Sequence, residues 1–202
     1  MRLATTLARR VPEMLVRPGP TFRAIAPAPA VGETLLFGAA LAVVPQIVLV
    51  VRGLLGGGFR NVGTWAVFAS GGYGFVATLL FFALGAALVR WVTPALDGVA
   101  SAARSLALVV YATTPLWLLA ALGTTVPRWQ NAFGLAGMAW SIALVAVGGA
   151  ALMGVPRGKR GVFTYAVGVG LVLLWLAALI VLAWVLSGLL ERELAGQIAR
   201  GL

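Results

Sequence analysis

The sequence predicts an all-α integral membrane protein: five transmembrane helices preceded by a short amphipathic N-terminal segment at the membrane interface. Residues 34–51, 61–89, 105–127, 129–156 and 161–190 contain no Asp, Glu, Lys or Arg. At about 1.5 Å of rise per residue, even the shortest of these runs reaches roughly 27 Å, close to the hydrocarbon thickness of a bilayer. The composition agrees: hydrophobic residues make up 61% of the 202-residue chain, charged residues 10%, and mean hydropathy is +1.03. A soluble domain of this size leaves much of its surface in water and carries about a quarter charged residues.

Residues 1–33 form the head. Leu3, Leu7, Val11, Met14 and Leu15 recur at helical spacing, while Arg2, Arg9, Arg10, Glu13 and Arg17 take the other side. That pattern predicts an amphipathic helix lying in the interface. Pro12 either kinks it or opens a shorter helix, since proline lacks the N–H that an interior turn needs. A second short helix opens at Pro20, with Phe22 and Ile25 facing the membrane and Arg23 facing away. The rival reading is a disordered basic tail, favoured by the prolines between 18 and 29. No apolar run sits where a secretory signal would place one, so the first span is expected to serve as the retained targeting signal.

The spans carry few polar residues, and each has a structural role to hand. In the first, Pro45 frees a carbonyl one turn earlier and Gln46 can hydrogen-bond a neighbouring helix. In the second, Ser70, Gly74 and Thr78 make a small-residue stripe, and Gly137 and Ser141 do the same in the fourth, as close helix packing in lipid requires. The third contains Tyr111, Thr113, Thr114, Pro115 and Trp117. Pro115 frees the Tyr111 carbonyl, a threonine hydroxyl can occupy it, and a kink results. Trp65, Trp91, Trp129 and Trp175 or Trp184 fall near the span ends, as interfacial belts require.

Net charge is +10, from fourteen Arg and one Lys against five carboxylates. The basic residues sit at span ends, which assigns them to headgroups and topology, and no aromatic-interleaved patch of the nucleic-acid type appears. Segments 1–33, 90–104 and 157–160 together hold ten basic residues, and the opposite set (Arg52, Arg60, Arg128, Arg192, Arg200) holds five. The positive-inside rule therefore places the N-terminus in the cytoplasm and the C-terminus outside, with residues 34–190 as the membrane domain and 191–202 as a short tail.

Catalysis is disfavoured. The chain has no Cys and no His, and Glu13, Glu33, Asp97, Glu191 and Glu193 are scattered over both ends of the spans. No acid–base pair, nucleophile or metal set converges, and no ionisable residue lies within a span to act as a relay. No cofactor, catalytic residue or metal ligand is expected.

The order of several short motifs resembles the Yip (Ypt-interacting protein) domain family, in its small bacterial inner-membrane form. They are Arg17-Pro18, Thr21-Phe22 and Ile25 before the first span, Gly71-Gly72 in the second, and Tyr111 with Thr114-Pro115-Leu116 in the third. Pro127 follows in the next turn, then Trp140 in the fourth span and Gly154-Val155-Pro156 before the fifth. The resemblance implies a cytoplasmic N-terminus and a membrane-organising or trafficking role, with eukaryotic relatives working beside small Rab-type GTPases and reticulon-like membrane shapers. The Asp-Leu-Tyr-Gly-Pro signature of those relatives is absent, and Val31-Gly32-Glu33-Thr34 stands near its place, so the GTPase partner is not carried over.

The expected function is thus non-catalytic organisation of membrane or partner proteins, and the rival is a transporter or lipid-handling component. Expected partners are membrane lipids, anionic ones above all, and a protein partner or a second copy of the chain. Arg2, Arg9, Arg10, Arg17, Arg23 and Phe22 are the lipid-surface candidates, and Gln46, Tyr111, Thr114 and Pro115 the intramembrane motif.

Overall fold

The computed structural model describes residues 2–27, 29–55 and 64–199, and among these it contains helices and turns and no strand. The head is two helices, α1 (Arg2–Val16) and α2 (Pro18–Ile25). The first span is α3 (Val31–Leu55) and the second α4 (Thr64–Ala95). The third is split into α5 (Ala102–Ala112) and α6 (Thr114–Thr125). The fourth and fifth are α7 (Gln130–Ala151) and α8 (Arg160–Ala199), each entered through a short 3-10 turn. Five of these helical stretches are long and apolar enough to cross a membrane, as expected. Their outer surface carries Leu35, Leu36, Ile47, Leu80, Leu84, Leu173 and Ile180, a belt far larger than water tolerates on a monomer and suited to acyl chains.

Around the bundle, α3 packs on α4, α4 on α8, α8 on α7, α7 on α6 and α6 on α3, closing a ring. Inside it lies α5, packed on α3, α4 and α7. This is why the third span is the most enclosed, 67% buried against 18% for the fifth. Ser105 and every residue from Ala107 to Leu116 are buried. Small residues permit the close approaches: a Cβ on Gly137 would lie 2.7 Å from the Leu116 Cα, which pins α6 against α7.

The split in the third span has a local cause. Pro115 cannot donate to Tyr111, and Thr113 takes φ −88°, ψ 4°, outside the helical well. The Thr113 hydroxyl donates to the Val109 carbonyl (2.8 Å) and accepts from the Trp117 indole N–H (3.2 Å), while Thr114 donates to the Val110 carbonyl (3.4 Å). The kink is therefore as expected, but the threonines serve the carbonyls of Val109 and Val110 rather than that of Tyr111. Both hydroxyls reach back one turn along the chain, the direction in which a helical threonine hydroxyl points.

The head departs from expectation. α1 runs unbroken through Pro12, and α2 opens at Pro18 rather than Pro20. The two are tied together by the Thr21 hydroxyl of α2, which lies within hydrogen-bond reach of the Glu13 carbonyl of α1 at 3.3 Å as well as of the Arg17 carbonyl at 2.8 Å. Its apolar side is turned onto the bundle: Met14 and Phe22 are both 0% exposed, and α2 packs along α7. Phe22, expected to face lipid, is instead sunk against Gly148, where a Cβ would come within 3.0 Å of its ring. An apolar stripe buries against whichever apolar surface is available, and here the bundle supplies one. Toward the C-terminus, α8 continues to Ala199, so the expected tail is helical through that residue.

The turns at 96–101 and 152–159 lie at the head end and touch each other. The Val99 N–H donates to the Met153 carbonyl at 2.8 Å, and Lys159 pairs with Asp97 at 2.5 Å. Asp97 holds φ 57°, a left-handed conformation that a short polar side chain tolerates better than most. The loop expected at 52–60 lies mostly outside the described residues, as does Arg200.

Candidate functional site

At the head end, α1 lays Arg10 across the mouth of the bundle. Its guanidinium donates to the Tyr111 hydroxyl and pairs with Glu33 at 3.0 Å, with its carbon 5.8 Å from the centre of the Tyr111 ring. Tyr111 is fully buried on α5 and packs on Phe37 of α3 at 4.8 Å between ring centres. Its hydroxyl would otherwise be a polar group far from water, and Arg10 satisfies it. Beside this contact is a polar recess of about 210 Å³, lined by Arg9, Arg10, Glu13, Glu33 and Tyr111 among others.

The lipid-surface candidates thus divide. Arg17 and Arg23 are exposed, and Arg9 is exposed with a partner in Glu13 at 3.5 Å on the next turn. Arg10 is turned inward, its side chain 22% exposed, and Phe22 is buried. The side chains of Arg2, Leu3 and Leu7 lie outside those described. Arg90 and Arg157 add exposed basic charge at the same end.

The intramembrane motif is only partly brought together. Tyr111 and Pro115 flank the break in the third span, and Thr114 lies on its inner side, all three buried. Gln46 is remote from them, with its amide laid over Gly74 of α4, in the space that a Cβ there would take. Near it the ring of spans opens into a cavity of about 360 Å³, with Ser70, Thr78, Phe81, Trp117 and Trp175 in its lining. The small-residue stripe of the second span therefore lines a space as well as a helix contact. Trp175, read as an interfacial residue, faces that space. Trp91, Trp129 and Trp184 are 80%, 58% and 76% exposed near the span ends, as an interfacial belt requires.

Sequence reasoning passed over Arg52, Thr124, Gln130 and Asn131, which edge the same cavity at the end away from the head. Polar residues at span ends read as interface, and only their shared depth on three helices would have separated them.

The family model for the Yip1 domain matches residues 13–191, from the second half of α1 to the far part of α8. The chain belongs to the Yip1 domain family. No curated protein and no solved structure matches it. This Yip1-domain chain is an integral membrane protein whose family match takes in the last turn of α1, all of α2 and all five spans. Among the described residues, no three carboxylates gather into a metal-binding group, and Glu13, Glu33 and Asp97 are each engaged by a basic partner.

Proposed function

We propose that this Yip1-domain protein is a non-catalytic organiser of membrane that holds an anionic leaflet surface against its head end, in a trafficking or membrane-shaping role. The observation that carries this reading is the division of the head into two faces. Met14 and Phe22 fix it to the bundle, which leaves Arg9, Arg17 and Arg23 directed outward from a rigid element. Each arginine near an anionic surface contributes about 1 kcal/mol, and three together about a hundredfold in affinity. Arg90 and Arg157 extend the basic face, and the excess of basic residues at this end favours a cytoplasmic head in a bacterial inner membrane.

Flotation of the full chain, held in neutral-lipid nanodiscs, with phosphatidylglycerol or phosphatidylcholine vesicles tests this. Selective flotation with the anionic vesicles, reduced as salt rises from about 0.15 M to about 1 M, supports the reading. Equal flotation with both lipids, or no change on replacing Arg9, Arg17 and Arg23 by Gln, overturns it. A lipid-handling role is the second reading, and it is favoured by the cavity at the opposite end of the bundle.

A further inference from the structure

The third span divides the interior of the bundle in two. On the head side of Thr113, α5 fills the axis, and beyond Thr113, α6 joins the ring, where it packs on α3 and α7. The axis past the break is left to the 360 Å³ cavity, which all five spans line. Its floor is aromatic: Phe81 and Trp117 meet edge to face, with ring centres 5.6 Å apart at 82°. Trp175 stands on the wall, and Arg52, Gln130 and Asn131, all exposed, stand at the mouth. A cavity of this size, mostly apolar with a few polar groups at one end, has the make-up of a ligand site.

The charge at the mouth is one-sided. Arg52 uses one N–H to donate to the Thr124 carbonyl at 2.6 Å, and a guanidinium carries five donors. No carboxylate lines the cavity, and Arg52 forms no salt bridge among the described residues. A cation over an aromatic-floored space complements a molecule with one apolar chain and an anionic head.

We propose that this cavity binds a single-chain anionic amphiphile, with its carboxylate or phosphate on Arg52 and the side-chain amides of Gln130 and Asn131, and its chain against Phe81, Trp117 and Trp175. The site is independent of the head and of its lipid surface. The ligand enters from the leaflet opposite the head, where the mouth lies, and the packed rings of Phe81, Phe82 and Trp117 close the inner end.

Binding of radiolabelled palmitate to the full chain in neutral-lipid nanodiscs tests this. Saturable binding is expected, with hexadecanol competing at least about tenfold less well because it cannot engage the guanidinium as an anion. Acetate, an anion without a chain, is expected not to compete. Arg52→Gln should lower palmitate affinity about tenfold or more, while Arg128→Gln, an exposed charge at the same end but outside the lining, should leave it unchanged. Ala120→Phe, which fills the cavity, should abolish binding. Should that variant fail to fold, Arg52→Gln at its exposed position decides instead. Hexadecanol binding as tightly as palmitate, acetate competing as well as palmitate, or unchanged affinity in Arg52→Gln each overturns the proposal.

Discussion

Phe22→Ala separates a docked head from one that floats in the interface. Phe22 is 0% exposed, held between α7 at Gly148 and the core of the bundle. Emptying a buried phenylalanine site costs about 3–5 kcal/mol when the surroundings cannot collapse, and the helical backbone at Gly148 cannot move far. That cost falls on local opening of the head rather than on the five spans, which keep their own contacts. At about 1.4 kcal/mol per tenfold, even the lower bound raises the open population roughly a hundredfold. Hydrogen exchange on the full chain in nanodiscs reads this at the amides of Thr21 and Ala26, which donate to the carbonyls of Arg17 and Phe22. Both should exchange about a hundredfold faster in Phe22→Ala, while the Thr113 amide in the bundle core stays protected. Gly148→Val should speed the same two amides from the other side of the contact, but its Cβ meets the Leu108 side chain of α5 before the Phe22 ring at 3.0 Å, so amides of the bundle core should lose protection as well. Unchanged exchange at Thr21 and Ala26 in both variants would refute the burial of Phe22.

Three further outcomes are expected. Arg10→Ala should destabilise more than Tyr111→Phe, because it strands a buried hydroxyl at about 1–3 kcal/mol, whereas Tyr111→Phe leaves Arg10 its pair with Glu33; thermal melts in detergent check the order. Thr113→Val combined with Thr114→Val removes the hydroxyl bonds to Val109 and Val110 and the partner of the Trp117 indole, and should cost about 2–4 kcal/mol by the same melts; an unchanged melt contradicts the interior placement of the motif. Reporter fusions at the two ends should place them on opposite sides of the membrane, and a C-terminal reporter active in the cytoplasm would contradict the orientation.

The five spans were legible because charge-free length is set by bilayer thickness, and the kink because a proline four residues after Tyr111 leaves the helix one bond short. The docking of the head was not legible. Val11, Met14 and Phe22 form the same apolar stripe whether it faces lipid or protein, and nothing local to α1 and α2 names the surface that covers it. The Arg10 contact escaped for a related reason, since Tyr111 lies about a hundred residues away and one arginine among the five of the head reads as surface charge. The cavity depends on α6 leaving the axis, a tertiary consequence of the Thr113 break. Gln46, Ser70 and Thr78 therefore read as helix packing until Arg52, Gln130 and Asn131 are seen at the same opening.

The central claim is that the head meets an anionic surface as a docked element, through its arginines, and not by turning its apolar side into lipid. The absence of native cysteines makes a direct measurement available. A Cβ at Gly19 would sit 3.8 Å from the Val147 side chain, so Gly19→Cys with Val147→Cys should cross-link under mild oxidation and lock α2 to α7. The account predicts that the disulfide forms in membranes and that the locked protein binds phosphatidylglycerol vesicles as well as its reduced form does. Failure of the lock to form, or loss of anionic-vesicle binding once it has formed, would contradict it.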